Sequence, residues 1–537
     1  MKPIHNWWAR LVAALVAALG VLGIVIASTP SISQQPAWVS DDALLTAETA
    51  FAPEQIQDLL AARTSPLASY TETVGEQTLS AAELFWAAAQ NSDYGLNPKA
   101  LLATLYIEDG LNWTQPGGLY AHLKQMALEL SRAYQAGLAP VSADESKGLV
   151  LPRDTAATYA LARYYAPTAK VNGQLRASLQ DWSATYRQLF DRDPAQDAAP
   201  KSPATQIPFI RLPFDEPKDG FYPIEAFFDH AFPGQIEEPN MLRLDGKALP
   251  GAHYSGCWSA MTCYSGHNAT DYTLPTGTPV YAVAAGVVTY RLDAEGGVII
   301  DHGNGYRSLY WHLDKIVVNW QQPVKDGELI GYSGSRGIAT HPHLHFGLRL
   351  TALSRDVDPS GWWSSNADPW PAPSRFLWRG GLLADNSTAQ MHLFYNQYWV
   401  RDPKGYGGES WYTATTNTYG NSTNWAIWGT TIPKAGPYTV SVYWPKNAEA
   451  TTAAVYQVWH AGGMALVKVN QRIDGDRFVP LGSFNFIEGP IVVILTDLTP
   501  DAPKNQRVYF DAIRWDAGNL DSTHPNIYLP VIQGDSK

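Results

Sequence analysis

Past Phe209 the chain consists of short alternating runs broken by glycine and proline, and that punctuation rules out a helical fold for most of its length. Val280 to Tyr290 reads as strand, turn, strand. Gly297 to Gly303 and Tyr306 to Leu313 flank an Asn304-Gly305 pair, the dipeptide that suits a tight hairpin because both residues tolerate positive φ. Val324 to Gly331 and Leu344 to Leu350 complete the set. Within the last segment, His343 and His345 are two apart, so on a strand they project to the same face.

The stretch before Phe209 has a different period. Ser80 followed by Glu83 has capping-box spacing, and Asn97-Pro98 opens a second helix, with proline where its missing N–H is not needed. Tyr120 to Ala136, Thr155 to Ala166 and Leu175 to Phe190 carry apolar residues at spacings of three and four. The expectation is a multidomain α+β chain. Residues 1–33 are a signal peptide or N-terminal anchor, 34–72 a linker, 73–195 an all-α domain and 196–208 a second linker. Residues 209–383 form a central antiparallel β domain, 384–518 a β-sandwich and 519–537 a tail.

Lys2, His5 and Arg10 precede an apolar run from Leu11 to Ala27, followed by Ser28, Thr29 and Pro30. That is the layout of an export signal, at a length bordering on a membrane span, so cleavage and retention both stand. In an exported chain Cys257 and Cys263 are expected to form a disulfide closing a short loop, with a metal pair as the rival reading. The net charge is 38 − 50 = −12, against a general nucleic-acid binder, which needs a basic face. Charged residues make up only 16% of the chain and there are 20 Trp and 28 Tyr, a balance that suits exported β modules facing sugars.

Seven of the 13 histidines lie between His253 and His345. His267 and Asp271, four apart, converge readily on one ion; with His345 they give two imidazoles and a carboxylate, leaving a fourth tetrahedral position for water. Such a water, activated by the metal, needs a base and an oxyanion donor nearby. His343 shares the strand face of His345, and His312 comes from another strand. A non-catalytic, partner-binding domain is the alternative reading of this set.

The ordered segments Gly266-His267…Asp271-Tyr272, Pro275 to Val288, Asp301 to Tyr306, Tyr310-Trp311-His312-Leu313, Gly327 to Gly334 and His343-Leu344-His345-Phe346 resemble the lysostaphin/LytM-type zinc metallopeptidases, which cleave peptide bonds in peptidoglycan. The resemblance implies one zinc ion per chain on His267, Asp271 and His345, with His312 and His343 as the catalytic pair. Ala269 replaces the usual glycine of the His-x-Gly-x-Asp motif, and Thr340-His341 stands where the family has Thr-Gly. His341 is expected to be a surface residue near the cleft mouth, His302 to be structural in its turn, and His253 has no assignment.

Two further resemblances flank this one. Asn97-Pro98 to Leu111 is similar to the helix of lysozyme-like lytic transglycosylases that ends in a catalytic glutamate, which places Glu108 as a second candidate site; Asp109 stands where that family has serine. Tyr438 to Pro445, His460 to Gly463, Val467 to Gln471, Leu481 to Phe484 and Phe510 to Trp515 look like the golvesin/Xly-type carbohydrate-binding-like domain, a β-sandwich whose aromatics stack on glycan or fill its own core. The expected function is an exported zinc endopeptidase of cell-wall peptidoglycan. The alternatives are a non-catalytic regulator of a hydrolase and a bifunctional enzyme in which Glu108 cuts glycan.

Overall fold

The computed structural model describes residues 39–44, 51–90, 96–113, 115–138, 155–167, 172–195, 204–217, 221–231, 240–250, 266–353, 355–394, 398–418, 422–499 and 502–518. The N-terminal run at 1–33, His253 and the Cys257–Cys263 pair lie outside these residues. Among the described residues, no helix is long and apolar enough to cross a membrane.

The helical part holds α1 (Pro53–Ala62), α2 (Ala81–Gln90), α3 (Pro98–Asp109), α4 (Leu119–Leu138), α5 (Ala156–Tyr165) and α6 (Asn172–Phe190), with a hairpin of β1 (Thr71–Val74) and β2 (Gln77–Ser80) between α1 and α2. Local chemistry sets the ends. The Ser80 hydroxyl accepts from Glu83 N at 3.3 Å while a Glu83 carboxylate oxygen accepts from Ser80 N at 2.7 Å, the expected capping box. Asn97 caps α3 through Lys99 N, and Gly110 closes it at φ 69°, a conformation glycine adopts without Cβ strain.

The expected linker 34–72 needs correction. Its second half is folded: Ile56, Leu60 and Leu67 are buried in the same core as α2 to α6. Polar and proline-rich stretches concealed three anchors that only tertiary packing uses. The all-α expectation also gives way to a helical domain with one β-hairpin.

The central region is built on antiparallel pairs. β3 (Ile224–Ala226), β4 (Thr270–Tyr272), β5 (Gly286–Leu292), β6 (Gly297–Asp301), β7 (Tyr306–Trp311) and β8 (Leu344–Leu350) lie in the order β5-β6-β7-β8-β4-β3. A small sheet of Pro279–Tyr281, Leu313–Ile316 and Leu329–Ser333 packs beside it. Along β7, Tyr306 and Tyr310 face the central core, whereas Leu309 and Trp311 face the helical domain. The helical domain therefore covers one face of the sheet. Trp86 Nε1 donates to Thr289 O at 3.0 Å, and Lys124 and Tyr120 both reach Glu295.

The C-terminal region is a sandwich. β9 (Met391–Phe394), β10 (Trp425–Ile432), β11 (Ala454–His460), β12 (Gly463–Val469) and β13 (Gly489–Thr496) form one layer in the order β9-β10-β13-β11-β12. Leu383–Ala384, Ile513–Ala517, Gly436–Val442 and Val479–Phe486 form the other. Trp425, Trp428, Trp444 and Trp515 are buried, so packing uses these rings and removes them from any sugar-stacking role. The first layer is continuous with the central sheet, because β3 pairs with β4 on one side and with β9 on the other, through Ile224 and Phe394.

Candidate active site

Directly opposed residues of an antiparallel pair project to the same side. His345 of β8 lies opposite Asp271 of β4 and opposite Trp311 of β7, so all three share the face that the helical domain partly covers. His267 approaches from the segment before β4. Asp229 holds that segment in place: its backbone N–H donates to His267 O at 2.8 Å, and its carboxylate accepts from Gly266 N at 2.7 Å.

Three donor atoms converge. His345 Nδ1 is 3.0 Å from Asp271 Oδ1, His267 Nε2 is 3.2 Å from the same oxygen, and the two ring nitrogens are 3.3 Å apart. Ligands on a tetrahedron with bonds near 2.0 Å are about 3.3 Å apart, so this triangle has the size of one face of a zinc site. The set also carries outer support. His267 Nδ1 lies 3.1 Å from Phe227 O; donating there, it directs Nε2 at the other two donors. Burial opposes ionisation of Asp271, but His267, His343 and His345 outweigh it and hold the carboxyl well below its usual range. Burial also works to lower His267, and Asp271 outweighs it to raise the pKa. The donors fit a divalent metal with nitrogen and oxygen preference.

The two remaining histidines stand beside the triangle. His312 and His343 have ring centroids 4.5 Å apart, and His312 is 5.8 Å from His345. His312 Nδ1 is 2.7 Å from Arg336 O and His343 Nδ1 is 2.9 Å from His341 O. Each Nδ1–H is thus engaged by a carbonyl, which leaves each Nε2 to serve the cleft; His343 Nε2 is 3.7 Å from Asp271 Oδ2. Burial and the neighbouring imidazoles of His345 and His343 lower His312 to about 4, so it is neutral at ordinary pH and able to accept a proton.

His312 occupies a joint. Trp311 ends β7 in the large sheet and Leu313 begins a strand of the small one, and His312 between them has φ 69°. A left-handed backbone at a non-glycine residue carries strain, which here turns the chain from one sheet to the other and leaves the ring at the cleft.

The five sequence-selected residues His267, Asp271, His312, His343 and His345 are brought together. Glu108 is not: it lies in the last turn of α3 in the helical domain, where Tyr164 OH donates to Oε1 at 2.5 Å and His122 Nε2 lies 2.8 Å from Oε2. His302 is structural in its turn as expected, bridging Ala285 O and Ser308 Oγ. His341 is partly exposed, and Glu225 engages its Nε2. Sequence reasoning missed Glu225 and Asp229. Their signal was present: two carboxylates and His230 interrupt the apolar run Ile224 to Phe228 and its flank, where a charged residue needs a buried partner.

Residues 265–359, which contain all five, match Peptidase family M23, and residues 382–516 match the Golvesin C-terminal domain. The chain is 47% identical over 85 residues to peptidoglycan DD-endopeptidase ShyA of Vibrio cholerae, covering 15% of this chain and 20% of that protein. It is 44% identical over 88 residues to DD-carboxypeptidase/endopeptidase Mpg of Neisseria meningitidis, covering 16% and 20%. The chain thus spans about a fifth of the length of these curated relatives. Among solved structures, the catalytic domain of lysostaphin from Staphylococcus simulans is 33% identical and covers 20% of this chain and 84% of that one, with a TM-score of 0.17. A zinc-containing peptidase from Vibrio cholerae is 29% identical, covering 28% and 39%, with a TM-score of 0.20.

Proposed function

We propose that this chain is an exported zinc endopeptidase that hydrolyses the peptide cross-links of cell-wall peptidoglycan. The observation that carries the proposal is the triangle of His267, Asp271 and His345, with 3.0–3.3 Å edges, beside two imidazoles whose Nδ1 atoms are both engaged by carbonyls. The M23 match over 265–359 and the peptidoglycan endopeptidase relatives support the substrate class, and the apolar run after Arg10 supports export.

In this reading His267, Asp271 and His345 hold one zinc ion, which when bound lowers the pKa of a water and polarises the scissile carbonyl. The protein's own contribution is proton handling at two fixed nitrogens. His312 and His343 share the work at their Nε2 atoms: one accepts a proton from the attacking water, and the other, supplied with a proton from solvent, donates to the oxyanion. The carbonyls of Arg336 and His341 keep both rings from turning away. The helical domain and the sandwich hold this face toward the wall polymer.

Purified protein is expected to hold about one zinc per chain, as a three-ligand catalytic site implies. Mass spectrometry of digested peptidoglycan of known cross-link type should show new amino termini. Replacing His345 with Ala should abolish both. A metal-free wild type that releases no amino termini would rule out the enzyme and leave a wall-binding regulator.

A further inference from the structure

A second group of donors lies against the first. Glu225 of β3 is buried, and its carboxylate accepts from Thr273 Oγ1 at 2.9 Å and lies 2.7 and 2.8 Å from His341 Nε2. His343 Nδ1 is 3.9 Å from the same carboxylate. One ligand atom each from Glu225, His341 and His343 falls within 4.8 Å of the others, a two-imidazole, one-carboxylate set of the same composition as His267, Asp271 and His345. The His341 side chain is 42% exposed, which gives this group a route to solvent.

We propose that Glu225, His341 and His343 bind a second divalent cation, zinc above all, and that its occupancy switches the peptidase off. This rests on the zinc-peptidase reading above. The donor set is the one zinc favours, and a cation placed among the three donors would compensate the burial of the Glu225 carboxylate. The switch follows from His343, which the two groups share. Taking the cation at Nδ1 ends the hydrogen bond to His341 O, and the ring proton moves from Nδ1 to Nε2. With Nδ1 on the cation and Nε2 carrying the ring's proton, His343 no longer accepts a proton at Nε2. Two cations so close also repel, so the ion that binds second binds more weakly, and the switch requires that this be the outer one. Cleavage therefore rises and then falls as zinc increases.

The test uses the full chain. Equilibrium dialysis against zinc, with metal counted by mass spectrometry, is expected to show one tight ion and one weaker ion in the wild type. Glu225→Gln and His341→Ala should each weaken the second ion by about tenfold or more, the scale of losing a ligand or its support, while keeping the tight one. In each variant the fall in cleavage at high zinc, relative to its own maximum, should be lost. His341→Ala alters a half-exposed side chain and decides the matter if Glu225→Gln fails to fold. A wild type that saturates at one zinc, or a second ion that binds both variants equally, overturns the site. Second-ion binding with undiminished cleavage overturns the switch. Because the ions are counted without any substrate, failure of the second site is distinguishable from failure of the peptidase reading, which would show as an absent tight ion or uncut peptidoglycan.

Discussion

His312 Nδ1 lies 2.7 Å from the carbonyl oxygen of Arg336, 24 residues downstream, and the residue makes this contact from a left-handed backbone. Holding the ring there thus works against local backbone preference, as sites of chemistry often do.

His312 accordingly separates strain from catalysis. His312→Ala and His312→Gly should both lower cleavage by roughly 10²- to 10⁴-fold, the usual worth of a positioned acid–base group. Zinc content should stay near that of the wild type. Glycine relieves the positive φ and alanine does not, so the glycine variant should be the more stable by about 1 kcal/mol. Urea unfolding of the two inactive proteins checks this; equal stability would show that φ 69° is not strained.

His230 predicts a loss of stability at alkaline pH. It is fully buried, with Nδ1 3.1 Å from Asp368 and Nε2 3.3 Å from Asp358. Burial opposes its charge, but the hydrogen bonds to the two carboxylates overcome it and raise the pKa to about 9. The unfolded value is about 6.5, so the folded pKa is the higher one. The resulting stabilisation is fully present below about pH 6.5 and is lost as pH rises through about 9; it amounts to roughly 3 kcal/mol. His230→Gln should be much less stable than wild type at pH 6, and the gap should narrow by pH 10. Denaturant midpoints at the two pH values measure this.

Gly429 marks where the sandwich meets the central core. A Cβ built there would lie 2.1 Å from the Phe376 ring, which is itself fully buried. Gly429→Ala should cost about 1–3 kcal/mol, the range for overpacking a filled core. Adding Phe376→Leu should recover part of the loss, so that the double variant is less destabilised than the sum of the singles in thermal unfolding.

Glu108 should have no part in cutting glycan. A general acid of that kind sits in a partly apolar cleft and carries a proton to give away, whereas both Glu108 oxygens already face donors from Tyr164 and His122. Digested peptidoglycan should gain amino termini without new reducing ends, and Glu108→Gln should leave that pattern unchanged. Reducing-end release that vanishes in the variant would restore the glycan-cutting role.

The cleft was legible in sequence to the extent that its geometry is local. His343 and His345 face one way because strand period is two, and Leu344–Leu350 forms the expected strand. His267 and Asp271 meet because they are four apart across a strand entry. What escaped depends on distant pairing. Glu225 reaches His341 because Ile224 pairs with Tyr272, and the covering of the face that bears His345 depends on contacts such as Trp86 with Thr289, 203 residues apart. Likewise, Ile56, Leu60 and Leu67 look incidental in a polar stretch until the helices close over them.

The short strand Ile224–Ala226 joins the sheet of the M23 segment to the sandwich and carries Glu225 between them. A cut made at the change of composition near residue 384 would not free the central sheet intact. It would strip one flank of that strand and leave bare backbone one strand away from Asp271, open to pairing with any passing chain. In hydrogen-bonding terms, the sandwich is the selvedge of the sheet that carries Asp271 and His345.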